Sequence, residues 1–159
     1  MLEVLVETGF LLALNPRDVH HQWALSILEE SRGKAKVLYI SPVSPVELSL
    51  ILKSKGYSDE SISRLLNAMF SIVGRYTRPR YPPMGLEHMA YAAELRAKYP
   101  QLTFFDSLHA SVAIIENLVY YDLDETVKGV IDSELKGKNR QSIHRKYYLL
   151  VFSSIFLTY

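Results

Sequence analysis

Four carboxylates stand where chemistry is possible in this 159-residue chain: Glu7, Glu47, Asp106 and Asp122. Glu7 directly follows the apolar run 2–6, and Asp122 directly follows the apolar run 118–121. Glu47 and Asp106 each lie three positions after a hydroxyl residue able to cap a helix, Ser44 and Thr103. In a parallel α/β sheet, strand C-termini and the N-termini of the following helices meet at one edge, where ligands bind. Four acids far apart in sequence would gather there. Carboxylates brought together repel and raise one another's pKa values. A divalent cation relieves that repulsion, and Mg²⁺ and Mn²⁺ take oxygen ligands while keeping several waters. Such an ion can supply hydroxide near neutral pH and stabilise charge on a phosphodiester under attack. The bland alternative remains open for each acid: Glu47 and Asp106 as helix-dipole and capping partners, Glu7 and Asp122 as solvated loop residues.

The elements that must position these acids follow from the pattern of apolar residues and breakers. The run 2–6 is a short buried strand, followed by a helix over 8–14 that ends at Asn15-Pro16. Asp18 caps a helix to about residue 30, with Trp23, Leu25, Ile27 and Leu28 on or near its apolar stripe, and Gly33 stops it. A second strand covers 37–40. Ser44 at N-cap, Pro45 at N1 and Glu47 at N3 predict a capping box heading a helix to about residue 55, which ends at Gly56. Ser58 caps a helix over 59–73. The segment 75–80 is basic and irregular, Pro82-Pro83 breaks the chain, and 86–99 reads as a helix. Thr103, with Asp106 at N3, heads a helix to about residue 117. A strand at 118–121, a loop or short helix over 122–128 and a last short strand at 129–131 complete the pattern. Short apolar strands alternating with helices imply a parallel sheet covered on both faces.

Bulk properties agree with one α/β domain. Hydrophobic residues make up 48% and charged residues 22% of the chain, which is globular rather than disordered. There is no cysteine, so disulfides, thiolate zinc sites and thiol nucleophiles are excluded. The opening MLEVLVETGF carries acids where an export signal needs basic residues, and the apolar stretch 147–159 falls short of the roughly 20 residues that span a bilayer. A cytoplasmic, membrane-free setting is therefore expected. The net charge of +1 conceals an asymmetry, because residues 131–159 carry Lys136, Lys138, Arg140, Arg145 and Lys146 against only Asp132 and Glu134. Residues 132–159 read as a basic hinge and an apolar C-terminal extension.

The acidic stretches resemble a known family. VLVETGFLLAL at 4–14 is similar to the opening of PIN domains, a strand ending in an acid before an apolar helix, and DVHH at 18–21 is similar to the segment after it. ISPVSPVEL at 40–48 resembles the second acidic motif, FFDSLHASVA at 104–113 the third, and VYYD at 119–122 the fourth. The resemblance spans about residues 2–131 in order and spacing. It departs at Glu7, where the family usually has Asp, at Gly9 for the usual Asn, and at Tyr120 for Ser or Thr. It implies a PIN-like three-layer α/β/α fold with a short-stranded central parallel sheet. It also implies a metal-dependent endoribonuclease, the toxin of a toxin–antitoxin pair, with a small antitoxin partner and a homodimeric state.

On that resemblance Glu7, Asp106 and Asp122 hold one or two Mg²⁺ or Mn²⁺ ions, Glu47 binds metal or orients water, and all four are catalytic. Two alternatives are a housekeeping RNA-processing PIN nuclease and a catalytically impaired scaffold that binds RNA or protein. Thr8 either positions water or an RNA phosphate, or packs locally. Arg75, Arg78 and Arg80, interleaved with Tyr76 and Tyr81, either contact phosphates and bases or form a solvated loop. His109 shares a helix side with Asp106 but reads as a packing histidine, and His20 and His21 as surface residues at a helix start. No Gly-rich phosphate loop, dinucleotide fingerprint or Ser-His-Asp pattern is present.

Overall fold

The first strand, β1 (Leu2–Val6), is the centre of the molecule in a computed structural model that describes residues 1–137. Its partners are β2 (Lys36–Ile40) and β3 (Val119–Tyr121), both parallel to it, so the sheet order is β2-β1-β3. Parallel neighbours need crossovers, which helices supply. The chain runs β1, α1 (Thr8–Ala13), α2 (His21–Arg32), β2, α3 (Ser44–Ser54), α4 (Asp59–Gly74), α5 (Leu86–Lys98), α6 (Phe104–Ile115), β3 and α7 (Glu125–Gly137).

The alternation of β1 side chains separates two cores. Val4 and Val6 face α1, α2, α3 and α4, packing with Phe10, Ile27, Leu28, Leu48 and Val73. Leu5 points the other way, into Tyr91, Leu95, Val112, Ile114 and Val127 from α5, α6 and α7. Helices therefore cover both faces, the three-layer arrangement expected. Val4, Leu5 and Val6 are all fully buried, which explains why the strand reads as a continuous apolar run rather than an alternating one. Phe10 meets Trp23 edge-on at 6.2 Å, closing α1 onto α2.

Three expectations change. Ser44 does not cap α3: Val43 is the N-cap, and Ser44 is its first residue, buried with its Oγ unpartnered. Asp18 caps no helix, because its Oδ1 accepts from His20 N at 2.8 Å within a turn and α2 starts at His21. The predicted strand at 129–131 is part of α7. Val127, Val130, Ile131 and Glu134 recur at helical spacing and are all buried, and that face packs on α6. Helix α7 thus runs through residue 131, the proposed end of the PIN-like part. The basic hinge and apolar extension, beyond the start of that helix, fall mainly on 138–159, outside the described residues.

Glu134 ties α7 to α5. Its carboxylate accepts from Tyr91 Oη at 2.8 Å, Tyr99 Oη at 2.9 Å and Lys98 Nζ at 2.6 Å. Burial alone would raise its pKa, but these three donors outweigh burial and hold it down at about 2. His88, fully buried, plays a similar linking part: Nδ1 accepts from Gly85 N at 3.0 Å and Nε2 faces Glu116 Oε1 at 3.1 Å.

Candidate active site

Strand register decides the first part of the site. Val6 pairs with Ile40 on one side and Tyr121 on the other, so Ser41, Glu7 and Asp122 emerge side by side at one sheet edge. Neighbouring parallel strands lie about 4.8 Å apart, a spacing that forces these residues together. Ser41 N donates to Val6 O at 2.8 Å, which carries the pairing one residue past β2. Helix α3 starts three residues later and brings Glu47 to the same rim, and α6 brings Asp106 and His109.

Glu7 is the N-cap of α1 and is only 9% exposed. Its Oε1 accepts from the backbone N–H of Gly9. Burial raises its pKa most, the charges of Asp122 and Glu47 add to this, and the N–H groups of Gly9 and Thr8 oppose it; the carboxyl reaches about 8. Glu47 behaves oppositely. Burial pushes it upward, yet hydrogen bonds from His109 and Thr8 outweigh that and keep it below the ordinary range. Thr8 Oγ1 donates to Glu47 Oε2, and His109 Nε2 lies 3.0 Å from the same oxygen. His109 Nδ1 lies 2.7 Å from Ser41 Oγ. With Nε2–H donating to Glu47, Nδ1 accepts the Ser41 hydroxyl, and the chain Ser41–His109–Glu47–Thr8 has every hydrogen placed.

Two carboxylates border this group. Asp122 Oδ1 accepts from Leu123 N at 2.6 Å, and Tyr120 Oη faces its Oδ2 at 3.4 Å. Tyr120 is nearly buried; that burial, then the charges of Glu7, Asp122 and Asp106, push its hydroxyl pKa well above ordinary, so it stays a neutral donor. Asp106 forms the capping box expected of it: Thr103 N donates to Oδ2 at 3.0 Å, and Asp106 N donates to Thr103 Oγ1 at 3.2 Å. Its charge reaches Tyr120 nonetheless.

Among the described residues, Glu7, Glu47 and His109 form a group with donor atoms suited to a cation, and their ligand atoms all lie within 4.8 Å of one another. Two oxygens and one imidazole nitrogen suit Mg²⁺ or Mn²⁺, and Mn²⁺ tolerates the nitrogen better. Asp106 and Asp122 stand outside that span. His109 is 2% exposed, as a packing histidine would be, but it also grips Glu47. Position 109 alone could not disclose this, since the contact depends on how α6 lies against α3. Arg75, Arg78 and Arg80 are exposed, and the backbone of Arg80 extends the rim, its carbonyl accepting from Ile40 N at 2.8 Å. Among the described residues no hydrogen bond or ion pair joins these arginines to the acids. Arg96 was not singled out by the sequence; its Nη1 donates to Ser107 Oγ at 2.6 Å, and its guanidinium covers Phe104 at 4.9 Å, next to Asp106.

Two solved structures resemble this fold. One is VapBC2 from Rickettsia felis bound to a DNA fragment from their promoter, 22% identical, with 81% of this chain and 93% of that chain covered and a TM-score of 0.58. The other is VapC20 from Mycobacterium tuberculosis, a sarcin-ricin loop cleaving toxin, 21% identical, with 79% and 93% covered and a TM-score of 0.53. A comparison with curated proteins gives no match. The PIN domain family, however, matches residues 4–128, taking in β1 through the first turn of α7 and all four acids. With that match over most of its length, this chain belongs to the PIN domain family.

Proposed function

We propose that this protein is a divalent-metal-dependent endoribonuclease and the toxin of a toxin–antitoxin pair, held silent by a small antitoxin. The observation that carries the reading is the arrival of Glu7 and Asp122 side by side at one edge of a parallel sheet, with Glu47 and His109 in ligand reach of Glu7, within a PIN domain. The likeness to VapC20, a toxin that cleaves the sarcin-ricin loop, supports RNA as the substrate. The likeness to VapBC2 supports an antitoxin partner.

The donor set fits a cation: a Glu7 carboxyl raised first by burial and then by its acidic neighbours is what a positive charge would ionise. Glu7 and Glu47, with His109, would hold Mg²⁺ or Mn²⁺, and Asp122 and Asp106 would complete its surroundings through water. When bound, the ion supplies a water of lowered pKa and neutralises charge on the phosphodiester. Thr8 and His109 keep Glu47 ionised and fixed, which suits it to bind the ion or to orient the attacking water. Tyr120, a neutral donor to Asp122, helps to hold that carboxylate in place. Arg75, Arg78 and Arg80 present exposed positive charge, with Arg80 beside β2, which suits RNA backbone.

The test is cleavage of a structured RNA by purified protein with Mg²⁺, with Mn²⁺ and with chelator, and with Asp106→Asn as control. Metal-dependent cleavage that falls at least about 100-fold in the variant is expected, the range for loss of one electrostatic stabiliser. Equal cleavage by both proteins would end the catalytic assignment. Tight metal binding without turnover would favour the scaffold reading instead.

A further inference from the structure

We propose that Gly9 is the positioning residue for Glu7, and that the two act as one unit; this rests on the metal-binding reading above. The Glu7 carboxylate folds back over the start of α1, where Oε1 takes the N–H of Gly9. A Cβ built on Gly9 would collide with that same oxygen, and the next atom it would meet is Asp122 Oδ1 at 3.8 Å. The space beside Gly9 is thus filled by Glu7 itself.

Among the described residues nothing else asks for glycine there. Gly9 lies inside α1 with helical backbone, and Gly56 is the one glycine with positive φ among the described residues. The atoms nearest a Cβ at position 9 belong to the two acids, not to a packed helix or strand. Alanine would be the better helix former in this six-residue helix. Glycine's cost is offset only by the room it leaves for a carboxylate. Any side chain would drive Glu7 Oε1 off the Gly9 N–H and toward Asp122 or Glu47, where like charges oppose it. Aspartate, one methylene shorter, would hold its carboxylate nearer its own Cα while still capping the helix, so a Cβ at residue 9 would crowd it less.

Two measurements on the full chain test this, using Gly9→Ala, Glu7→Asp and the double variant. In calorimetric titration with Mn²⁺, Gly9→Ala should weaken affinity at least ten-fold when Glu7 is present and less than two-fold when Asp occupies position 7. Thermal unfolding should show Gly9→Ala folded and no less stable than the parent, which separates positioning from a folding defect. Equal loss in both backgrounds, or none in either, overturns the proposal. Crystal structures of the parent and Gly9→Ala supply a readout that needs no metal: the Glu7 carboxylate should lie on the Gly9 N–H in the first and leave it in the second. A carboxylate unmoved by Gly9→Ala overturns the proposal even if Mn²⁺ binds. A moved carboxylate in a protein that binds no Mn²⁺ upholds it and sinks the metal reading alone.

Discussion

The buried Glu7 carboxyl should make this protein less stable as the solution becomes more alkaline. Its pKa lies at about 8 in the folded chain against 4.5 when free in water. Between those values the folded state holds a proton that the unfolded state has lost. Stability therefore falls as pH rises from about 4.5 to about 8, and the loss is complete above the folded pKa. At about 1.36 kcal/mol for each pH unit, the full effect is bounded by about 5 kcal/mol. Half of that would still lower Tm by roughly 5–10 °C in a chain of this length. Glu7→Gln keeps the shape and removes the ionisation, so the variant should lack this slope and should exceed the parent in stability at pH 8. The assay is urea unfolding at half-unit pH steps from 5 to 9, comparing the slopes of the two proteins, so that only the difference at position 7 enters the comparison. Saturating Mn²⁺ should flatten the parent's slope by drawing off the proton, and should leave Glu7→Gln unchanged. Parallel slopes for parent and Glu7→Gln in the absence of metal would refute the reasoning, because the carboxyl would then be ionised equally in both states.

Two other perturbations follow from buried polar contacts. His109→Leu leaves the fully buried Ser41 hydroxyl without its partner and removes a donor from Glu47, so it should cost about 1–3 kcal/mol in urea unfolding; a loss under about 0.5 kcal/mol would mean the histidine merely fills space. Glu134 has its folded pKa lowered to about 2, so its stabilisation is present above about 4.5 and disappears as pH falls toward 2. Glu134→Gln should flatten acid unfolding across that window. The difference should be at most about 3 kcal/mol and smaller in practice, because the Lys98 side chain is 64% exposed and screened.

Much of the scaffold is legible along the chain, and for a local reason. Val4 to Val6 is apolar at every position because both faces of the strand are covered there, and that pattern needs no knowledge of what covers it. Thr103 and Asp106 form their capping box because both partners lie within one turn. The gathering of Glu7 and Asp122 is also readable, since in a parallel sheet the residue after each strand must arrive at the same edge. Gly129 to Ile131 misled because three residues do not distinguish a short strand from one helical turn; buried neighbours at 127 and 134 settle it as helix.

What the residue order could not decide is anything set by the docking of one helix on another. Ser44 and Glu47 carry a capping signature, yet Glu47 turns to Thr8 and His109, 39 and 62 positions away in sequence, because those donors lie within the folded core. His109, a packing histidine by its sequence, is packing and a partner of Glu47 at once. Gly9 and Glu7 are two residues apart, but the collision between them exists only once the carboxylate has folded back. Local hydrogen-bond geometry and hydrophobic period are written in the chain; the pairing of side chains across elements, and with it which acid keeps its proton, belongs to the tertiary structure, where burial and neighbouring charge are first defined.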